Sequence, residues 1–223
     1  MLGYITAPVT ILACAILVAS MTARTAAAAL PDGVTAAWGL DAAHREATPT
    51  RERISVNGLW RWQPAPDPDT PHSEAWGHVK VPGPWPGTRG NYMWRETQSY
   101  FVHEAWADDD LRDVDMAWYR REITIPPEWD GRRIALAAEY VNSYAAVYVD
   151  GEKAGEIHFP GGEADITDAV RPGETHKLTL FVAAMPLHAE IASYANSSEE
   201  QRTRGTVTLS GLCGDVWLVS TPP

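Results

Sequence analysis

Residues 118–168 read WYRREITIPPEWDGRRIALAAEYVNSYAAVYVDGEKAGEIHFPGGEADITD, and this run most restricts what the chain can become. Residues 118–125 alternate as a half-buried strand does, and Pro126-Pro127 stops them because proline cannot donate to a ladder. Trp129-Asp130-Gly131 turns the chain into a second strand over 134–139. Residues 145–149 alternate again, and Asp150-Gly151 is the strongest hairpin signal in the sequence, returning the chain over 153–158. No stretch between these turns is long enough for an amphipathic helix.

The flanks repeat the pattern. Asn57-Gly58 signals a turn ahead of Leu59-Trp60-Arg61-Trp62, and Asp67-Pro68-Asp69-Thr70-Pro71 ends that strand. Val79-Lys80-Val81 precedes a Pro/Gly-rich turn over 82–87. Residues 178–182 and 216–219 supply two further strands. Two segments carry no clear period: 87–116, with Trp94, Tyr100, Phe101 and Trp106 scattered among polar residues, and a polar excursion over 188–204. Long aperiodic loops in a compact domain are often functional. Short strands at this spacing predict an all-β fold, a sandwich or jelly roll rather than a parallel sheet covered by helices.

At 223 residues the chain has room for one ordinary domain with an extension, large enough to build a core without disulfides or metals. The net charge of -11 and the absence of any basic run beyond Arg120-Arg121 and Arg132-Arg133 argue against a nucleic-acid partner, which demands concentrated positive charge. Residues 9–21 are apolar and lead into small residues at 26–29, a pattern of export and cleavage that implies a secreted or periplasmic protein. The membrane is expected to be met only through this segment if it stays uncleaved. Its removal leaves Cys213 as the one cysteine, so the fold must rest on packing. The expected organisation is a signal peptide over 1–29, an irregular leader over 30–53 and a β-sandwich over 54–221. Ten tryptophans against three phenylalanines point to an aromatic core, to a saccharide site, or to both.

Four motifs, in order along 54–220, resemble the N-terminal sugar-binding domain of family 2 glycoside hydrolases, the β-galactosidase, β-glucuronidase and β-mannosidase group. They are Asn57-Gly58-Leu59-Trp60-Arg61-Trp62; Val79-Lys80-Val81-Pro82-Gly83-Pro84-Trp85; Trp118-Tyr119-Arg120-Arg121 with Val147-Tyr148-Val149-Asp150-Gly151 and Asp165-Ile166-Thr167-Asp168; and Gly211-Leu212-Cys213-Gly214-Asp215-Val216-Trp217-Leu218. The resemblance implies a galactose-binding-like jelly-roll sandwich. Cys213-Gly214 departs from the Trp-Arg pair common in the family's closing motif, and His176 stands where many relatives have Asn.

Family 2 hydrolysis, as the resemblance implies, uses two glutamates on a TIM barrel, one as acid and one as nucleophile about 5 Å away. A barrel needs about 250 residues, and the chain ends at Pro223, where a middle domain is expected first. The expectation is therefore a non-catalytic, carbohydrate-associated module with no catalytic residue, metal ligand or cofactor of its own. Its expected partners are a carbohydrate or a catalytic barrel domain or subunit, the alternatives being a member of a retaining glycosidase that needs a barrel, or a docking module without sugar binding. Asn91, Tyr92, Trp94 and Trp106 are the candidate saccharide contacts, since aromatic faces and amides suit sugars; for the tryptophans the competing reading is a loop anchored to the sandwich edge. Asp165 and Asp168 are read as turn carboxylates, Glu139 as a salt-bridge partner, Arg120 or Arg121 as the partner of a buried carboxylate, and Cys213 as a structural thiol.

Overall fold

A computed structural model describes residues 27–66, 72–86, 100–185, 187–193, 201–207 and 209–223. The export segment over 9–21 and the candidates Asn91, Tyr92 and Trp94 lie outside the described residues. The strands are β1 (Arg45–Ala47), β2 (Glu52–Ser55), β3 (Gly58–Pro64), β4 (Gly77–Val81), β5 (Tyr100–Phe101), β6 (Met116–Thr124), β7 (Arg133–Ala138) and β8 (Val141–Asn142). They continue with β9 (Tyr144–Val149), β10 (Glu152–His158), β11 (Gly162–Asp165), β12 (Thr175–Ala183), β13 (Leu187–Ser193), β14 (Gln201–Val207), β15 (Gly211–Leu212) and β16 (Val216–Thr221). Every helical element among the described residues is a single 3-10 turn, and none is long and apolar enough to cross a membrane.

Two antiparallel sheets face each other. One has five strands in the order β1-β2-β16-β7-β11, the other seven in the order β10-β9-β12-β6-β3-β4-β5. Ile54, Leu136 and Leu218 of the first and Trp60, Trp62, Tyr119, Val147 and Leu180 of the second share one buried cluster. This is the expected all-β jelly-roll sandwich. Two short pairs, β15-β8 and β13-β14, complete the ladders. The latter occupies the polar excursion, which is thus a two-stranded arm rather than an aperiodic loop. The leader also contributes more than expected, since β1 and half of β2 lie within 30–53 and form one edge of the five-stranded sheet.

The opening and closing motifs are joined directly. Asn57 Nδ2 donates to Asp215 Oδ1 at 2.9 Å, Asn57 Oδ1 accepts from Val216 N at 3.0 Å, and Val56 N donates to Val216 O at 2.9 Å. At this corner the chain passes from one sheet to the other, and Arg121 fills it. Its guanidinium donates to the carbonyls of Val56, Asn57 (2.7 Å), Leu59 (3.3 Å) and Ala36 (3.4 Å) and lies 5.4 Å from the Trp60 ring. The buried carboxylate partner expected for Arg120 or Arg121 is therefore not what holds them: Arg121 is satisfied by carbonyls, and Arg120 lies 2.8 Å from His72 and 4.3 Å from the Trp76 ring, with the exposed Glu74 its one carboxylate among the described residues, at 3.8 Å.

The Asp150-Gly151 turn has φ of 51° and 96°, the left-handed pair that two-residue hairpins favour. Asp150 also braces the neighbouring strand, accepting from Lys177 N at 2.7 Å and lying 2.7 Å from Nδ1 of the buried His176. Burial raises the Asp150 pKa, but the hydrogen bonds from His176 and Lys177 outweigh it and leave the carboxyl below its ordinary value. The charged carboxylate thus stabilises the fold at neutral pH, and that contribution is lost as pH falls through the lowered pKa.

Two predictions follow from these contacts. Asp150→Asn, which keeps the turn, should cost about 1 kcal/mol at pH 7, and the difference from the parent should shrink as urea midpoints are taken to pH 3. A Cβ at Gly211, where φ is +107°, would sit 2.5 Å from the Tyr119 hydroxyl. Gly211→Ala should therefore lower stability by about 2–3 kcal/mol in the same urea assay.

Candidate functional site

Tryptophan placement separates core from surface. Trp60, Trp62, Trp76, Trp85, Trp106, Trp129 and Trp217 are buried, so most of these indoles serve packing, each removing about 150–250 Å² from water. Trp106 is one of them. It is 6 % exposed, its indole N–H donates to Ala75 O at 2.9 Å, and its ring meets Trp62 edge-on at 5.3 Å. It anchors the segment between β5 and β6 to the sandwich, and its exposed edge only walls a cleft.

That cleft, of about 480 Å³, opens between the β3–β4 connection and residues 105–115. Its other wall is Trp118, and its rim carries Asp109, Asp110 and Asp115. Gln63 forms part of the floor and is locked by Ser73: Nε2 donates to Ser73 O at 3.0 Å, and Oε1 accepts from Ser73 N and Oγ at 2.9 Å each. Asp110 caps the 3-10 turn over Leu111–Asp113 by accepting from Arg112 N at 3.1 Å.

Trp118 is the residue that sequence reasoning placed on a strand without assigning it to a site. Strand register explains its position. Gln63, Trp118, Phe181 and Ala146 form one row across β3, β6, β12 and β9, on the outer face of the seven-stranded sheet. Tyr119, its neighbour in sequence, points into the core. The Trp118 ring lies 5.0 Å from Phe181 and 5.8 Å from Tyr148, with Met116 and Tyr144 packed beside them. The result is a half-buried aromatic platform bordered by carboxylates, a combination that stacks on apolar sugar faces and accepts hydrogen bonds from hydroxyls. The alternation of residues 118–125 was the available signal; with two adjacent aromatics it did not reveal which one faced out.

The other carboxylates and the cysteine have structural positions. Asp165 accepts from Thr167 N at 3.0 Å and Thr167 Oγ1 at 2.6 Å, and pairs with Arg133 at 2.9 Å. Glu139 pairs with Arg53 and accepts from the Trp217 indole, each at 3.1 Å. Burial pushes the Cys213 thiol up to about 12, which removes the thiolate a nucleophile needs. Among the described residues no cluster of His, Cys, Asp and Glu is arranged to hold a metal ion.

The two cleft tryptophans should respond differently to truncation. Trp106→Ala should cost about 3–5 kcal/mol, as removal of a buried indole does. Trp118→Ala should cost no more than about 1–2 kcal/mol, a surface-platform value. Urea denaturation of both variants checks the contrast.

No family model matches the chain. Among curated proteins it is 29% identical over 144 residues to the β-glucuronidase of Paenibacillus borealis, a match covering 60% of this chain and 22% of the relative. It is 28% identical over 122 residues to the β-galactosidase of Thermoanaerobacter pseudethanolicus, covering 53% and 15%. The chain thus spans about a fifth or less of the length of these relatives. Among solved structures, a β-glucuronidase from an uncultured Clostridium species superposes with a TM-score of 0.56 at 21% identity, over 80% of this chain and 30% of that one. The resemblance read from the sequence, to the N-terminal sugar-binding domain of family 2 glycoside hydrolases, is borne out by relatives of that group and by a shared sandwich fold.

Proposed function

We propose that this chain is a non-catalytic, carbohydrate-associated module that works beside a family 2 hydrolase barrel, and that the Trp118 cleft is its saccharide contact. The observation that carries this reading is the Trp118–Phe181–Tyr148 platform, bordered by the carboxylate rim of the adjoining cleft. Its setting on a fold shared with β-glucuronidases supports it. Hydrolysis on a barrel would then fall to another domain or subunit. The role of the module is to hold sugar rings by stacking, which orients a substrate without supplying acid or nucleophile.

A second reading assigns the same outer face to docking. Met185 is 59% exposed at the end of β12, next to the row containing Met116 and Tyr144, and aromatic and methionine side chains are enriched where proteins meet.

The two readings part in one experiment. The purified chain is titrated with a panel of mono- and oligosaccharides while its tryptophan fluorescence is followed, alongside Trp118→Ala. Saturable quenching that Trp118→Ala abolishes is the expected result. Silence across the panel, with tight binding to a barrel-containing protein, would favour docking, and hydrolysis of chromogenic glycosides by the purified chain would overturn the non-catalytic reading.

A further inference from the structure

The two outer faces of the sandwich are wired oppositely. On the five-stranded sheet the arginines sit against carboxylates: Arg53 on Glu46 and Glu139, Arg51 on Glu163, and Arg133 on Glu163 and Asp165. On the seven-stranded sheet, register sets Arg61 of β3 directly opposite Arg120 of β6 on one side and His78 of β4 on the other. Arg121 and Lys177 adjoin them around the same cleft. Like charges facing each other across strands oppose pairing; Arg120 meets the exposed Glu74 at 3.8 Å and Glu122 stands opposite Lys177, but among the described residues no carboxylate forms an ion pair with Arg61, Arg121 or Lys177. Such a cluster of cations stands out in a protein whose net charge is -11.

These side chains surround a cleft of about 240 Å³ that the leader covers at Ala36–Trp38. Trp38 fixes the cover by donating its indole N–H to Ser55 O at 2.9 Å. Three nitrogens of the lining residues are buried without a hydrogen-bond partner: Arg120 Nε, Arg121 Nε and His78 Nδ1. Burial and the neighbouring Arg61 push the His78 pKa down to about 4, so at neutral pH its ring is uncharged and offers one N–H. The single acid of the lining is Glu122. Planar guanidinium groups match oxyanions through paired N–H donors, and the volume is below that of a drug-sized ligand pocket, about 300–1,000 Å³.

We propose that this cleft is a carboxylate-binding site, independent of the saccharide reading of the Trp118 platform. The carboxylate is carried either by a small organic acid or by an acidic residue of a partner chain.

Isothermal titration of the full chain with succinate, with a capped peptide ending in a glutamate side chain, and with inorganic phosphate tests this. The parallel protein is the Arg61→Ala/Lys177→Ala double variant, chosen because both side chains are exposed. Far-UV circular dichroism and the urea midpoint, measured without ligand, confirm that it folds. Succinate or the peptide should bind saturably, and the variant should lose at least about tenfold in affinity, the value of one charge-assisted contact. Succinate binding assigns the site to small acids; binding of the peptide alone assigns it to a partner chain. No binding of either, equal affinity in the folded variant, or preference for phosphate over both carboxylates would overturn the proposal.

Discussion

The corner at Val56–Leu59 is the constraint around which the sandwich is assembled. There the backbone leaves one sheet and enters the other, and the Val56 and Asn57 carbonyls fall between the two ladders. A buried carbonyl left without a donor is costly. Arg121 supplies several donors from one planar group, and the Trp60 indole adds another to Val56 O at 2.8 Å. Asn57 then ties the corner to Asp215 and Val216, fixing β16 between β2 and β7. Few other residues could do this work. Lysine presents a point charge rather than a fork, and burial already pushes the Arg121 pKa down to about 10.

From that corner the outer face of the seven-stranded sheet follows by register alone. Once Arg61 is opposite Arg120, Gln63 must be opposite Trp118, and Trp118 opposite Phe181. One pairing therefore sets both the cation cleft and the aromatic platform, at neighbouring positions on the same strands. A one-residue slip would send both inward, and the buried Trp62, Tyr119 and Leu180 on the opposite side of those strands prevent it.

Much of the fold was legible in the sequence because alternation and turn chemistry are local. Asp150-Gly151, Pro126-Pro127 and the 216–219 strand all stand where the pattern put them. β1 was not legible: Arg45-Glu46-Ala47 is exposed throughout, so no apolar side chain marks its period, and only pairing with β2 makes it a strand. The site was less legible still. Whether Trp106 faces solvent depends on the Ala75 carbonyl, 31 residues away in sequence. The cation cleft draws Arg61, His78, Arg120 and Lys177 from four strands, a grouping that no local window contains.

The corner also has a bearing on how the molecule meets acid. Its charge is held by carbonyl dipoles, which do not titrate, whereas the Arg53–Glu46 and Arg133–Asp165 pairs of the five-stranded sheet and the Asp150–His176 contact of the other lose a partner when their carboxylates protonate. Acidification therefore loosens both layers at their turns and edges while the crossover that joins them stays clasped.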